Sequence, residues 1–289
     1  MKHHFGDLLD RTSNYWTTIP NQERYSFIAD RKIGKKEQVK ILTISKYHEK
    51  KHWEQIFDCP NLEELTLHDP GKEQVQAIRS LKKLKRLRVT FFRATDLDFI
   101  ADLPNLEELV LEYVSGFSDL SPLAKLKKLR SLHLENLHRV TDFDGLTGLR
   151  SLRYLHIDGT LDWNQPITCF DFLQSLTGLE VFSLGFISCK AGYPALLPLL
   201  KLKKLKKIHI GRNMFNTPDF AFLKAAFPKL EGCDWDLCWD FNDNYEFLGK
   251  RAGFVRKNSP QAEERCAAFI SSFEKMKKEA EAIIKSNKK

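Results

Sequence analysis

Apolar residues fall along most of this chain in one recurring frame: an apolar position, two residues, a second apolar position, one residue, and a third. The frame opens at Leu62-Leu65-Leu67. It returns at Leu84-Leu87-Val89, Leu106-Leu109-Leu111, Leu129-Leu132-Leu134, Leu152-Leu155-Ile157, Leu179-Phe182-Leu184, Leu205-Ile208-Ile210 and, degraded, Leu230-Cys233-Trp235, with a weaker copy upstream at Val39-Leu42-Ile44. Alternation at its end is the period of a strand with one buried face. Successive frames from Leu62 start 22, 22, 23, 23, 27, 26 and 25 residues apart. Before each strand lies a second pattern, apolar residues three apart, as in Leu97-Ile100-Leu103-Leu106 and Leu120-Leu123-Leu126-Leu129. Period three places these side chains on one edge of a tight helical turn. The pattern therefore predicts about nine repeats of strand plus short helical return, with strands centred near 42–44, 65–67, 87–89, 109–111, 132–134, 155–157, 182–184 and 208–210 in one parallel, curved sheet.

On these residues the chain resembles the leucine-rich repeat family over roughly residues 39–237, and its 22-residue steps resemble the short, internalin-type class. The resemblance implies an α/β solenoid: a right-handed horseshoe with a parallel concave sheet and a convex wall of short helices. One column departs from the family. Three residues after the last leucine of the frame asparagine is usual, but here the column reads Tyr47, Pro70, Phe92, Val114, Leu137, Thr160, Ile187, Asn213 and Cys238. Apolar packing is expected to replace the polar ladder, leaving backbone groups to find other partners.

The flanks read as caps. Residues 1–38 form an N-terminal cap rich in Phe5, Leu8, Leu9, Tyr15 and Trp16; the solenoid runs over 39–237; residues 238–258, with Trp239, Phe241, Tyr245 and Phe247, close the other end. From 259 to 289 an amphipathic basic helix is predicted, capped by Ser259 with Pro260 at its first position. Its stripe of Phe269, Ile270 and Phe273 is expected to dock, and its lysine-rich end to fray.

Composition changes this picture only modestly. At 289 residues and 42% apolar content the chain can bury a full core. No stretch of eighteen apolar residues occurs and Met1–Asp7 lacks a secretory apolar run, so a soluble, cytoplasmic monomer is expected. Six cysteines show no CxxC spacing, so neither a disulfide framework nor a zinc site is read from them, and Cys59 and Cys233 fall at core positions. The net charge of +8 sits mostly in the tail, where Lys250–Lys289 carries eleven basic and five acidic residues. The remaining lysine clusters, such as Lys82-Lys83-Lys85, read as solvated faces.

Residues alternating with the core leucines point out of the concave sheet. Those columns hold Glu64, Glu108, Glu112, Glu135, Asp158, Asp234 and Asp236 against Arg86, Arg88 and Lys207, an acidic face on a basic molecule. Within it Glu108, Glu112, Glu135 and Asp158 cluster with His133 and His156, with Tyr154 and His209 nearby; adjacent strands should place His133 beside His156 and Glu135 beside Asp158. Phe91, Tyr113 and Phe186 stand at the rim. The lengthened repeats carry Trp163, Tyr193, Met214 and Phe215 in loops expected to stack as one semi-exposed aromatic ridge.

No GxSxG, HExxH or phosphate-binding glycine loop occurs. The reading is a non-enzymatic protein–protein interaction module without cofactor, metal or catalytic residues, contacting a partner with a basic surface through Glu108, Glu112, Tyr113, His133, Glu135, Tyr154, His156, Asp158, Trp163, Phe186, Tyr193 and His209. Two alternatives stand beside it. One is nucleic-acid or anionic-surface binding through the convex lysines and the basic tail; the other is a hydrolase-type or metal-dependent enzyme using His133, Glu135, His156 and Asp158.

Overall fold

Each frame leucine finds its counterpart one repeat away. The computed structural model describes residues 29–287. Its strands in chain order are β1 (Ile41–Ile44), β2 (Glu64–His68), β3 (Arg86–Arg93), β4 (Glu108–Ser115), β5 (Ser131–Glu135), β6 (Tyr154–Asp158), the short β7 (Gln165–Ile167), β8 (Val181–Gly185), the short β9 (Ile187–Cys189) and β10 (Lys207–Ile210). All but β7 and β9 join one eight-stranded sheet in sequential order. Every pairing in it is parallel, and the register runs unbroken through Leu42, Leu65, Leu87, Leu109, Leu132, Leu155, Phe182 and Ile208. The sheet thus follows the predicted strands, and the chain is an α/β leucine-rich repeat solenoid.

Returns between strands are the tight turns that period three demands. They comprise α1 (Lys50–Trp53), α2 (Lys72–Ala77), α3 (Asp98–Ala101) and three-residue-per-turn segments such as Ser121–Lys125, Asp171–Ser175 and Leu197–Lys201. Their apolar edge and the strand leucines close one core: Leu97, Ile100, Leu103, Leu106, Leu109 and Leu111 of a single repeat are all inaccessible to solvent. At about 1.5–3 kcal/mol for each large aliphatic side chain fully buried, this shared core is what a lone repeat lacks.

In the departing column Pro70, Val114, Leu137 and Ile187 are buried, whereas Tyr47 and Asn213 toward its two ends are exposed. Backbone partners come instead from buried amides and a carboxylate elsewhere in the repeat. Gln55 accepts from the Ile33 N–H and donates to the Arg31 carbonyl. Gln74 donates to the Ser45 carbonyl, Gln165 donates to the Val140 carbonyl and accepts from the Leu137 N–H, and Asp219 accepts from the Ala195 N–H. Each satisfies buried main chain that would otherwise be costly to desolvate.

Three expectations are corrected. The ninth frame, Leu230-Cys233-Trp235, makes no strand, only a bridge from Glu231 to Lys207. There Gly232 turns the chain away at φ +89°, and a Cβ would lie 1.8 Å from the Ile208 carbonyl oxygen. The middle insertions do not form one aromatic ridge: β7 and β9 pair with each other, and Phe215 is buried between Phe170 and Phe220. The tail does not fray where expected, for α5 (Ala262–Asn287) stays helical with Ala280 and Ile284 buried near its end. Ile270 on that helix is 43% exposed, while Phe273 is buried and Phe269 stacks on Phe247 at 4.6 Å.

Helix α5 packs on α4 (Thr217–Ala226). Beside it β11 (Cys238–Phe241), β12 (Asn244–Phe247) and β13 (Phe254–Arg256) form a small antiparallel sheet. The N-terminal cap expected over 1–38 lies largely outside the described residues; within them, Ala29 donates to the Thr43 carbonyl. Among the described residues no helix is long and apolar enough to cross a membrane.

Candidate functional site

Register brings the predicted side chains together. His133 lies opposite His156 and Glu135 opposite both Glu112 and Asp158, as the repeat spacing requires. The two imidazole rings are 4.4 Å apart between centroids. His133 Nε2 is 3.3 Å from Glu135 Oε2, and His156 Nε2 is 3.1 Å from Asp158 Oδ2. The two-residue spacing within each strand makes these pairs, because positions i and i+2 share a face.

The face is not the open acidic surface that the sequence implied. Glu108, Glu112, His133, Tyr154 and His156 are buried, and Glu135 and Asp158 are about one-fifth exposed in their side chains. Period two tells which side of a sheet a residue leaves; it says nothing of how much water reaches that side. Tyr154 is enclosed with Val110 and Val181 in an apolar cluster, and Arg153 stands over its ring at 5.1 Å. His209 remains exposed.

Acids and bases on this face answer one another. Arg86 Nε is 3.3 Å from Glu108 Oε2 and its Nη1 3.8 Å from Glu64 Oε2. Arg88, wholly buried, donates through Nε to Glu112 Oε2 at 2.8 Å, with Nη2 2.5 Å from the same oxygen. The expected use of Glu108 and Glu112 as contacts for a basic partner is therefore corrected: both carboxylates are buried and face arginines inside the protein. Sequence reasoning missed the role of Arg88, although the signal was there, a base one repeat before an acid on the same face.

Burial raises the Glu112 carboxyl above the usual range, against the opposing pull of Arg88. Glu135 goes further. Burial first, then the charges of Glu112 and Asp158, lift it to about 7 despite Arg88. Neighbouring carboxylates in a poorly hydrated spot cannot all ionise cheaply, so this cluster favours a proton or a cation. The carboxylate of Glu112, a ring nitrogen of His133 and the carboxylate of Glu135 bring ligand atoms within 4.8 Å of one another.

A second array runs along the edge two residues after the last core position of each frame, inside β3 and β4 and just past the ends of β2, β5 and β8. Asp69, Phe91, Tyr113, Asn136 and Phe186 occupy the same place in their repeats, and all have left-handed backbones, with φ of 45°, 56°, 54°, 55° and 38°. Asn and Asp tolerate this region; Phe and Tyr do so at a cost of about 1–2 kcal/mol. Yet Phe91 and Phe186 are 46% and 42% exposed. His68, Phe91 and Tyr113 form a continuous ring series, with centroids 5.6 and 4.9 Å apart. Farther along, Trp163 lies 4.4 Å from His138, and Tyr193 is 44% exposed.

No family model matches the chain, and no curated protein matches it in sequence. Among solved structures, internalin C2 of Listeria monocytogenes is 24% identical, with 59% of this chain and 68% of that one covered and a TM-score of 0.42. Internalin F of the same organism is 25% identical, with 56% of this chain but only 52% of its own covered, and a TM-score of 0.36. A chain of the mouse RP105/MD-1 complex is 18% identical over 64% of this chain and 32% of its own, with a TM-score of 0.42. What identifies the fold is the protein's own eight-strand register and its helical returns, and by these it is a leucine-rich repeat solenoid of short repeats.

Proposed function

We propose that the protein is a non-catalytic interaction module that binds another protein along the edge carrying Phe91, Tyr113 and Phe186, with Trp163 and Tyr193 extending the surface. The observation that carries this reading is the strained, exposed aromatic column. A phenylalanine at φ 56° with nearly half its surface in water costs stability and returns little from burial. Such outliers persist where function holds them, and exposed aromatics with two rotatable side-chain bonds are efficient interface anchors.

The partner is expected to present apolar side chains to this column. A generally basic contact surface is no longer required, because Arg86 and Arg88 already match Glu64, Glu108 and Glu112. The test replaces Phe91, Tyr113 and Phe186 together by asparagine, which the left-handed backbone accepts, and compares photo-crosslinked partners in native lysate with those of a Lys82/Lys127/Lys203 charge-reversal variant. A discrete protein partner kept by the lysine variant and lost from the aromatic one supports the reading. Loss with the lysine set alone transfers the function to the basic surface and to anionic partners.

A further inference from the structure

The geometry points to a site for a late first-row divalent metal ion, zinc or cobalt in class, on the concave face, with Glu112, His133 and Glu135 as ligands and His156 and Asp158 beside them. This site is independent of the aromatic edge. Each of the three ligands comes from a different column or strand: Glu112 from β4, His133 and Glu135 from the two successive outward columns of β5, with His156 and Asp158 the matching pair on β6.

Distances fit a site before it closes on its ion. Zinc bonds of about 2.0–2.2 Å to nitrogen and oxygen set neighbouring ligand atoms about 3.4 Å apart in a tetrahedron. His133 Nε2 and Glu135 Oε2 already stand at 3.3 Å, and the whole trio lies within 4.8 Å. The remaining gaps, none above 4.8 Å, close to tetrahedral spacing with side-chain adjustments on the order of 1 Å.

Two further features indicate a ligand. Glu112, 2% exposed, gives one oxygen to Arg88, while Oε1 has no hydrogen-bond partner; on Asp158 the buried Oδ1 is also without one. Such atoms are expensive to bury without a partner and are suited to holding a cation. Space is kept for the Asp158 carboxylate by Gly185 on the next strand, where a Cβ would lie 2.3 Å from Oδ1. The charge count agrees. Three carboxylates, Glu112, Glu135 and Asp158, face one guanidinium, Arg88, which leaves two negative charges when all are ionised. A divalent ion cancels that excess, and imidazole nitrogen among the donors selects zinc, cobalt or their neighbours over magnesium or calcium. Arg88 holds Glu112 from behind in the manner of outer-shell partners that orient metal ligands. A bound ion would tie two consecutive repeats, those of β4 and β5, together across the face.

The experiment uses the full chain after chelator treatment, titrated with ZnCl2, CoCl2 and, as control, MgCl2, with binding followed by calorimetry and melting. One zinc per chain, a rise in melting temperature, a cobalt spectrum free of thiolate charge transfer, and an affinity falling at least about tenfold in Glu135→Gln and in His133→Gln are expected. The proposal is overturned by no zinc binding, by magnesium binding as tightly, by thiolate bands that place the metal on cysteine, or by an affinity that Glu135→Gln leaves unchanged. Should His133→Gln fail to fold, the wild-type cobalt spectrum and Glu135→Gln decide between these outcomes.

Discussion

Replacing Arg88 by methionine tests whether Arg88 and Glu112 form the closed, water-excluded ion pair described above. Arg88 is 0% and Glu112 2% exposed in their side chains, with 2.8 Å between Nε and Oε2. Methionine fills much of the same stem volume but leaves Glu112 facing Glu135 without its cation. For a buried pair, removing one partner costs about 3–5 kcal/mol. For a solvated pair the whole interaction is worth about 0.2–1 kcal/mol. The two outcomes are well separated. Urea unfolding of wild type, Arg88→Met and the double variant Arg88→Met/Glu112→Gln gives the numbers. We expect the single variant to lose about 3–5 kcal/mol and the double variant to recover most of that loss, because no bare carboxylate remains. A single-variant loss below about 1 kcal/mol, or a double variant no better than the single, would refute the closed-pair description.

Leu132 lies in register between Leu109 and Leu155 and is 1% exposed, so Leu132→Ala should cost about 2–5 kcal/mol in the same assay. In α5, Phe273→Ala should lower stability by about 3–5 kcal/mol if the helix is part of the core, whereas Ile270→Ala, on the exposed side, should change it by less than about 1 kcal/mol. At the sheet margin, Arg153 and Lys206 hold the Glu180 carboxyl well below its ordinary 4.5, at about 2. A depressed carboxyl stabilises the fold above its unfolded value and loses that contribution as pH falls from about 4.5 toward 2. Glu180→Gln should therefore flatten the acid limb of the stability curve by about 1–3 kcal/mol, discounted because Lys206 is largely exposed, and an unchanged limb in acid titrations would contradict the pairing.

Much of the candidate site is legible in the sequence. A fixed repeat places residues 22 or 23 apart side by side, so the meeting of His133 with His156 and of Glu135 with Asp158 follows from counting. Other features were not countable. Gln55, Gln74 and Gln165 sit at no constant place in the frame, yet they satisfy the main chain where the asparagine column fails. Phe91, Tyr113 and Phe186 were visible as rim aromatics, but their left-handed backbone is not written in the repeat pattern. The end of the solenoid was also misjudged, because one glycine at Gly232 stops a strand that Leu230 and Trp235 advertise.

What the sequence determined by itself is the periodic part: strand, return, register and the side of the sheet each residue leaves. These depend on local alternation and on a repeat length shared by neighbours, both of which are linear properties of the chain. Only the tertiary structure decided that Glu108 and Glu112 are withdrawn from water, that Arg86 and Arg88 are their respective counterweights, that Phe215 belongs to the core, and that α5 docks to its end. The physical reason is that burial and electrostatic pairing are set by everything that approaches a residue, and a linear pattern records only its own side of that encounter.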